Sequence, residues 1–339
     1  MVEYGVISLC DHLSPPDGSM AVTQASRLNA IADQAVLAES AGFDVFGVGE
    51  HHFSDYILPA PELMLAYVAA RTTTIRLGTS VTLLAKRDPV RYAEAFAVLD
   101  VLSNGRAEAT FARGVSQSTA QAFGIEDFEE LRPIFDEHLR LVLRLLTEES
   151  VTWTGDFRSP LDAVRIEPRP IQKPGQAFWI GGGLSTISAG LAAELGLPLH
   201  LPSLFKWPVD YLEVVDHYRS HFQPDTENNT APRVGFPSYL HVAETSQQAK
   251  AQWRAHLDHY VQFALTDRKS FGRSTEFDDL ITGPAICGSP AEVVDRISEI
   301  NEMLGLDRHN FLMDVGALPV GDLQKAIELM GTEVLPALP

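Results

Sequence analysis

Short apolar runs rich in β-branched and aromatic residues alternate along the chain with longer stretches whose apolar positions recur every three or four residues. The runs at 4–9 (YGVISL), 44–48 (DVFGV), 75–83 (IRLGTSVTL), 106–112 (RAEATFA), 177–181 (AFWIG), 197–201, 233–242 (RVGFPSYLHV) and 311–315 (FLMDV) predict strands. Helical patterns follow them at 23–41, 62–71, from Pro89, at 132–146, 186–195 and 209–222, from Thr245, and at 323–334. Several helix ends are chemically marked. Asp88 is placed to cap a helix with Pro89 in its first turn and Gly105 beyond its end, and Thr245/Gln248 and Ser289/Glu292 have capping-box spacing. The tally is eight strand-then-helix units. Strict alternation demands parallel strands and eight units close a barrel, so the expected class is α/β, a single (β/α)8 TIM barrel over residues 1–339. Residues 151–173 and 223–232 break the rhythm as linkers. Residues 266–287 are polar and dotted with glycine, and are expected to form a mobile insertion before the eighth strand, a candidate lid.

Composition narrows the function classes. Of the 339 residues 45% are hydrophobic and 21% charged, a globular profile. Lys and Arg total 26 against 45 Asp and Glu, a net charge of −19, which repels phosphate backbones and anionic lipid surfaces. Nucleic acid and membrane are therefore not expected as partners, although a local basic pocket is compatible with this balance. Two cysteines, Cys10 and Cys287, make neither a disulfide framework nor a Cys-rich zinc site. The opening MVEYGVISL lacks a basic flank and reads as a strand, and the uncharged stretch 174–193 is broken by Gly181, Gly182 and Gly183. A soluble cytoplasmic protein is expected.

The chemistry-bearing residues collect behind strands. There is no Gly-Lys P-loop and no His-Glu-x-x-His, and His256/His259 have no evident third ligand, so no metal site is expected. Gly181-Gly182-Gly183 follows a strand as a dinucleotide loop would. The third glycine is replaced by Thr186, however, and no acidic residue follows at the ribose-binding distance, which disfavours a nicotinamide site. The same loop places backbone N–H groups, Ser185 and Ser188 at a helix N-terminus, suited either to a phosphate or simply to capping. Arg113 follows a strand directly and points to the catalytic face of a barrel; its alternatives are a phosphate or the acids Glu126, Asp127 and Glu129. Arg132 opens the next helix with the same two options. Glu50-His51-His52 ends the second strand on that face, where a histidine can move protons near neutral pH or serve as a buried structural group. Asp11 and His12 are weaker candidates there.

Together, GVGEHHF at 47–53, IRLGTSVTLL at 75–84, RDPVRYAEAFAVLDVLSNGRAEATFARG at 87–114, RPIQKP at 169–174, FWIGGGLSTISAGLAAELGLPL at 178–199 and ICGSPAEVVDRI at 286–297 resemble the luciferase-like flavin-dependent monooxygenases. The resemblance implies a (β/α)8 barrel with an insertion before the eighth strand and FMN at its C-terminal mouth. It further implies that Arg113, Arg132, Gly182, Gly183, Ser185 and Ser188 hold the phosphate, and that Ser80-Val81 form a bulge, often with a non-prolyl cis peptide, behind the flavin ring. His51 matches a histidine important for turnover, with Glu50 expected to orient it. The family's reactive cysteine before the phosphate-binding arginine is here Ala112, so light production is not implied.

The expected activity is oxygenation of a small organic substrate by reduced FMN and O2. The missing nicotinamide loop favours a separate flavin reductase. Two alternatives carry the same phosphate site: a deazaflavin-dependent dehydrogenase and a non-catalytic flavin-binding protein. The resemblance also implies a homodimer through the helices after the second and third strands, near Leu63, Leu65, Tyr67, Val68, Phe96 and Leu99.

Overall fold

Strand and helix alternate as the pattern requires, in a computed structural model that describes residues 1–201, 206–224, 231–265 and 274–339. The first half runs β1 (Glu3–Ser8), α1 (Gln24–Ser40), β2 (Val45–Val48), α2 (Pro61–Ala69), β3 (Arg76–Leu83), α3 (Pro89–Leu102), β4 (Ala107–Ala112), α4 (Gln117–Ala122) and α5 (Leu131–Thr147). It continues with β5 (Val151–Trp153), β6 (Leu161–Val164), α6 (Pro174–Ala177), β7 (Phe178–Gly181), α7 (Thr186–Glu194), β8 (Leu199–His200) and α8 (Leu212–His221). The last part is β9 (Val234–Val242), α9 (Ser246–Leu265), α10 (Phe277–Leu280), β10 (Ala285–Gly288), α11 (Pro290–Leu304), β11 (Arg308–Leu312) and α12 (Val320–Leu329). Eight strands pair in parallel in the order β1-β2-β3-β4-β7-β8-β9-β11, and β11 returns to β1. The closed (β/α)8 barrel is thus the architecture of the chain.

Local chemistry sets the element ends. Asp88 accepts from the N–H groups of Val90 and Arg91 at the start of α3, and Ser289 and Glu292 form the expected box at α11. Such caps satisfy orphan amides and are each worth about 1 kcal/mol. Arg106 donates to the carbonyls of Ala69, Thr72, Ile75 and Ser103, which ties the ends of α2 and α3 to the start of β4. The RPIQKP segment is a buttress. Arg169 donates to the Leu145 and Leu146 carbonyls at the end of α5, and buried Asp100 accepts from the Ile171 and Gln172 amides and the Gln172 side chain.

The N-terminal end of the barrel is closed by paired charge. Arg308, fully buried, is held by Glu108 and Glu3; Arg76 also reaches Glu108, and Arg233 reaches Glu3. Arg308 and Arg233 also contact the indole of Trp179, with their guanidinium carbons 4.4 and 4.9 Å from the ring centroid. Burial alone would raise the Glu108 pKa, but Arg308 and Arg76 outweigh it and bring it down to about 2.

Three regions differ from the sequence reading. The linker at 151–173 contains an antiparallel hairpin, β5–β6. The last barrel strand begins at Arg308 rather than at 311; its first three residues, Arg308, His309 and Asn310, are buried but polar and so carry no apolar strand signal. Of the expected insertion, residues 266–273 lie outside the described residues. Residues 274–287 include α10 and most of β10, which pairs in parallel with the C-terminal half of β9. Four residues flanked by polar ones carry no pattern of their own; the overhang of β9 supplies the pairing. On the outer surface Leu65, Val68, Phe96 and Leu99 are core, while Leu63, Tyr67, Val98, Val101 and Leu102 are exposed. Among the described residues no helix is long and apolar enough to cross a membrane.

Candidate active site

The strand C-termini open onto one mouth, and the chain brings most of the expected residues to it. On the β2 side, Gly49 lets two elements approach. A β-carbon there would lie 3.2 Å from the Ser80 carbonyl oxygen and 3.5 Å from His51 Cδ2, so the Ser80 peptide and the His51 ring flank the same glycine. The register of β3 shifts between Ser80 and Thr82, and the Ser80-Val81 peptide is cis. His51 stacks on Tyr56, with ring centroids 3.9 Å apart, and Tyr56 shares a 3.0 Å hydroxyl–hydroxyl hydrogen bond with Tyr260 of α9.

Glu50 serves other partners than the sequence suggested. It is buried and accepts at Oε1 from His52 Nε2 (2.9 Å) and Arg87 Nε (3.2 Å), and at Oε2 from the Leu83 amide (2.9 Å) and Arg87 Nη2 (2.9 Å). Both oxygens are therefore saturated. Burial would raise its pKa, but His52, Arg87 and the Leu83 amide lower it overall. Glu50 is a clamp between the ends of β2 and β3 that hydrogen-bonds His52 rather than His51. The His52 ring meets Phe123 edge-on at 4.9 Å, with Phe53 beside them.

Cations gather on the opposite side. Arg113 lies over the Phe128 ring, its guanidinium carbon 5.3 Å from the centroid. It pairs with none of Glu126, Asp127 or Glu129. Arg132 Nη2 donates to Ser188 Oγ at 3.2 Å, while its buried Nη1 has no partner. Burial depresses the Arg132 pKa, Asp136 partly restores it, and the nearby charge of Arg113 depresses it further, which places the two guanidiniums within each other's field. Ser188 is buried in the first turn of α7, and Ser185 caps that helix by accepting from the Ile187 amide. The Gly182 amide is used within the frame, donating to the His200 carbonyl at 2.9 Å. Gly183 has open space around its α-carbon.

These residues fit a flavin phosphate. Two guanidiniums within each other's field, one with a buried N–H that has no hydrogen-bond partner, a serine hydroxyl and a helix N-terminus are the donors a phosphate requires. Gly181 packs against Ala112, so the cradle is continuous through the end of β4 with the Ser80-Val81 bulge.

Asp11 and His12 are drawn into structure. Arg27 is shared between Asp11 (3.3 Å) and Asp314 (2.8 Å), and Ser8 Oγ donates to Asp314 at 2.6 Å. Burial raises the Asp11 carboxyl to about 6; Arg27 opposes this and Asp314 adds to it. His12 Nε2 lies 2.6 Å from the Val22 carbonyl oxygen, away from the rings of the mouth. Sequence reasoning missed Lys86, Arg87, Tyr56 and Phe123. For the first two a signal existed, a basic pair directly behind a strand. Tyr56 and Phe123 lie in loops without periodicity. Among the described residues no cluster of His, Cys, Asp and Glu has the arrangement of a metal site.

Comparison with known proteins agrees with this architecture. The chain is 28% identical over 315 residues to limonene 1,2-monooxygenase of Rhodococcus erythropolis, covering 90% of this chain and 78% of that one. It is 22% identical to the oxygenase component of flavin-dependent trigonelline monooxygenase of Acinetobacter baylyi, covering 93% and 91%. A crystallised monooxygenase of Streptomyces bottropensis superposes with a TM-score of 0.84 at 27% identity over 99% of both chains. The coenzyme F420 dependent tetrahydromethanopterin reductase of Methanopyrus kandleri shares the fold, with a TM-score of 0.74 at 20% identity over 100% and 99%. The family model described as luciferase-like monooxygenase matches residues 10–308, and the chain belongs to that family.

Proposed function

We propose that this chain is the oxygenase component of a two-component system that uses reduced FMN and O2 to oxygenate a small organic substrate. The observation that carries the reading is the orphaned Nη1 of Arg132 beside Arg113 and Ser188, at the mouth of a barrel that belongs to a monooxygenase family. Bound reduced flavin supplies the electrons that activate oxygen. The chain's own residues bind, orient and exclude water. Arg113, Arg132, Ser188 and the N-terminus of α7 hold the phosphate, with Ser185 and Gly183 at its edge. The Ser80-Val81 bulge would support the flavin ring. His51, held face-on by Tyr56, carries a proton at an imidazole nitrogen to or from the reacting group. Tyr56, Tyr260 and Phe263 wall that side with apolar surface, which excludes water from the reaction.

A separate reductase follows from the Gly181–Gly183 loop, where Thr186 and the absent acid remove a nicotinamide site. The relative named as an oxygenase component supports the same division of labour. A homodimer through the exposed apolar positions of α2 and α3 completes the proposal, and sedimentation as a monomer at low concentration would reject it.

The deciding experiment titrates the purified protein with FMN, riboflavin and a deazaflavin, and then follows oxygen uptake and product mass with chemically reduced FMN. Preference for FMN over riboflavin and product mass higher by one oxygen atom are expected. Preference for the deazaflavin with no oxygen uptake would move the chemistry to hydride transfer.

A further inference from the structure

Resting on the FMN reading, we propose that Lys86 is the substrate-acid receptor: its ammonium binds the carboxylate of an organic acid whose apolar body lies against the aromatic wall of the mouth. Three cations stand at this end of the barrel among Lys86, Arg113 and Arg132, and among the described residues none of the three forms an ion pair with a carboxylate. Two of them suffice for the cofactor. A phosphate carries about −1.5 to −2 charges near neutral pH. Arg113, Arg132 and the roughly half charge of the α7 N-terminus balance that between them. Lys86 is surplus to the phosphate.

Its position is set by Gly114, which has a left-handed backbone (φ 85°) and no side chain. A β-carbon on Gly114 would stand 3.2 Å from Lys86 Nζ, so the ammonium lies over the glycine face directly after Arg113. The acid whose field reaches it is Glu50, and all four acceptor positions of Glu50 are taken by His52, Arg87 and the Leu83 amide. A half-buried ammonium whose one neighbouring carboxylate is already saturated is short of negative charge. Burial correspondingly lowers its pKa, and Glu50 only partly opposes that. Glu50 also fixes the ring of His52, which with Phe123 and Phe53 forms an aromatic surface, so one carboxylate connects the ammonium to these rings. Phe53 is 74% exposed and holds a positive φ of 59°, a conformation uncommon for an aromatic residue, which keeps its ring outside the core. An acid head on an apolar body matches this pairing of cation and rings.

The test compares wild type, Lys86→Met and Lys86→Arg. FMN-loaded protein is titrated with benzoate, 2-naphthoate and decanoate and with the three corresponding neutral amides, following the visible difference spectrum of the bound flavin. The expected result is saturable binding of at least one acid, weakened tenfold or more in Lys86→Met, largely restored in Lys86→Arg, with its amide indifferent to either change and FMN affinity within twofold throughout. A loss of FMN affinity in Lys86→Met without loss for riboflavin would assign Lys86 to the phosphate cradle and overturn the proposal. So would acids and amides that behave alike in all three proteins. In apoprotein, trinitrobenzenesulfonate labelling of Lys86, read by peptide mass, gives a measure independent of flavin. Protection by the acids alone supports the receptor even if FMN fails to bind, in which case the cofactor reading falls separately.

Discussion

The N-terminal end of the barrel pairs its buried guanidiniums with carboxylates, whereas the C-terminal end pairs Arg27 and Arg87 but leaves other cations without an ion pair among the described residues. At the N-terminal end Arg308, Arg76 and Arg233 each face Glu3 or Glu108, and Trp179 packs its ring against two of the guanidiniums. At the C-terminal end Lys86, Arg113 and Arg132 form no ion pair with a carboxylate among the described residues, and the buried Nη1 of Arg132 has no hydrogen-bond partner. The same residue types thus serve opposite purposes. A closed set of ions fixes the geometry of strands that converge from distant parts of the sequence. An open set suits an anionic ligand, and its unmet desolvation cost falls on the free protein.

The contrast is broken most severely at the closed end. Glu108→Ala leaves Arg308 buried without one of its partners, a class of change that costs about 3–5 kcal/mol. Urea unfolding is expected to show that loss, with residual folded protein still binding FMN. At the open end, His51→Asn is expected to lower product formation by roughly 100-fold or more, the scale of a lost proton-transfer group, at unchanged FMN affinity. Single-turnover product yield measures it. Arg113→Met is expected to weaken FMN by about 2 kcal/mol, close to thirtyfold, while riboflavin affinity and the urea midpoint stay where they were. Equal losses for both flavins would show that Arg113 supports the fold rather than the phosphate.

The smallest effect concerns acid stability. Glu39 would be raised by burial, but it accepts from the amides of Thr73, Thr74 and Ile75 and from the Thr74 hydroxyl, and its pKa drops to about 2. A depressed carboxyl contributes stability above its unfolded pKa of 4.5 and loses it as pH falls toward 2. Glu39→Gln is therefore expected to be less stable than wild type at pH 7 and to converge with it near pH 2, as urea midpoints across that range would record.

Much of the frame was legible because its signals are local. Asp88, Pro89 and Ser289 mark helix starts by their own side chains, and alternation of runs fixes parallel pairing. The GTSVT run at 78–82 and the GGGLS loop also sit where their strands end, so the bulge and the cradle could be named from resemblance. What escaped is set by partners far along the chain. The role of Glu50 depends on Arg87, 37 residues away, which turns a candidate orienting group into a clamp for His52. Strand β10 exists because β9 is nine residues long and only its first half is needed to meet β11. RPIQKP looked like part of a functional signature, yet its arginine and glutamine hold the ends of α5 and α3.

That overhanging strand has a structural corollary. Because β9 anchors β10 by main-chain pairing outside the ring, the chain re-enters the frame at a fixed point regardless of the route taken between Leu265 and Ser274. Doubling a connector's length adds only about 0.6 kcal/mol of closure entropy. Connectors of quite different length can thus be accommodated at this place while the eight-stranded scaffold keeps its register.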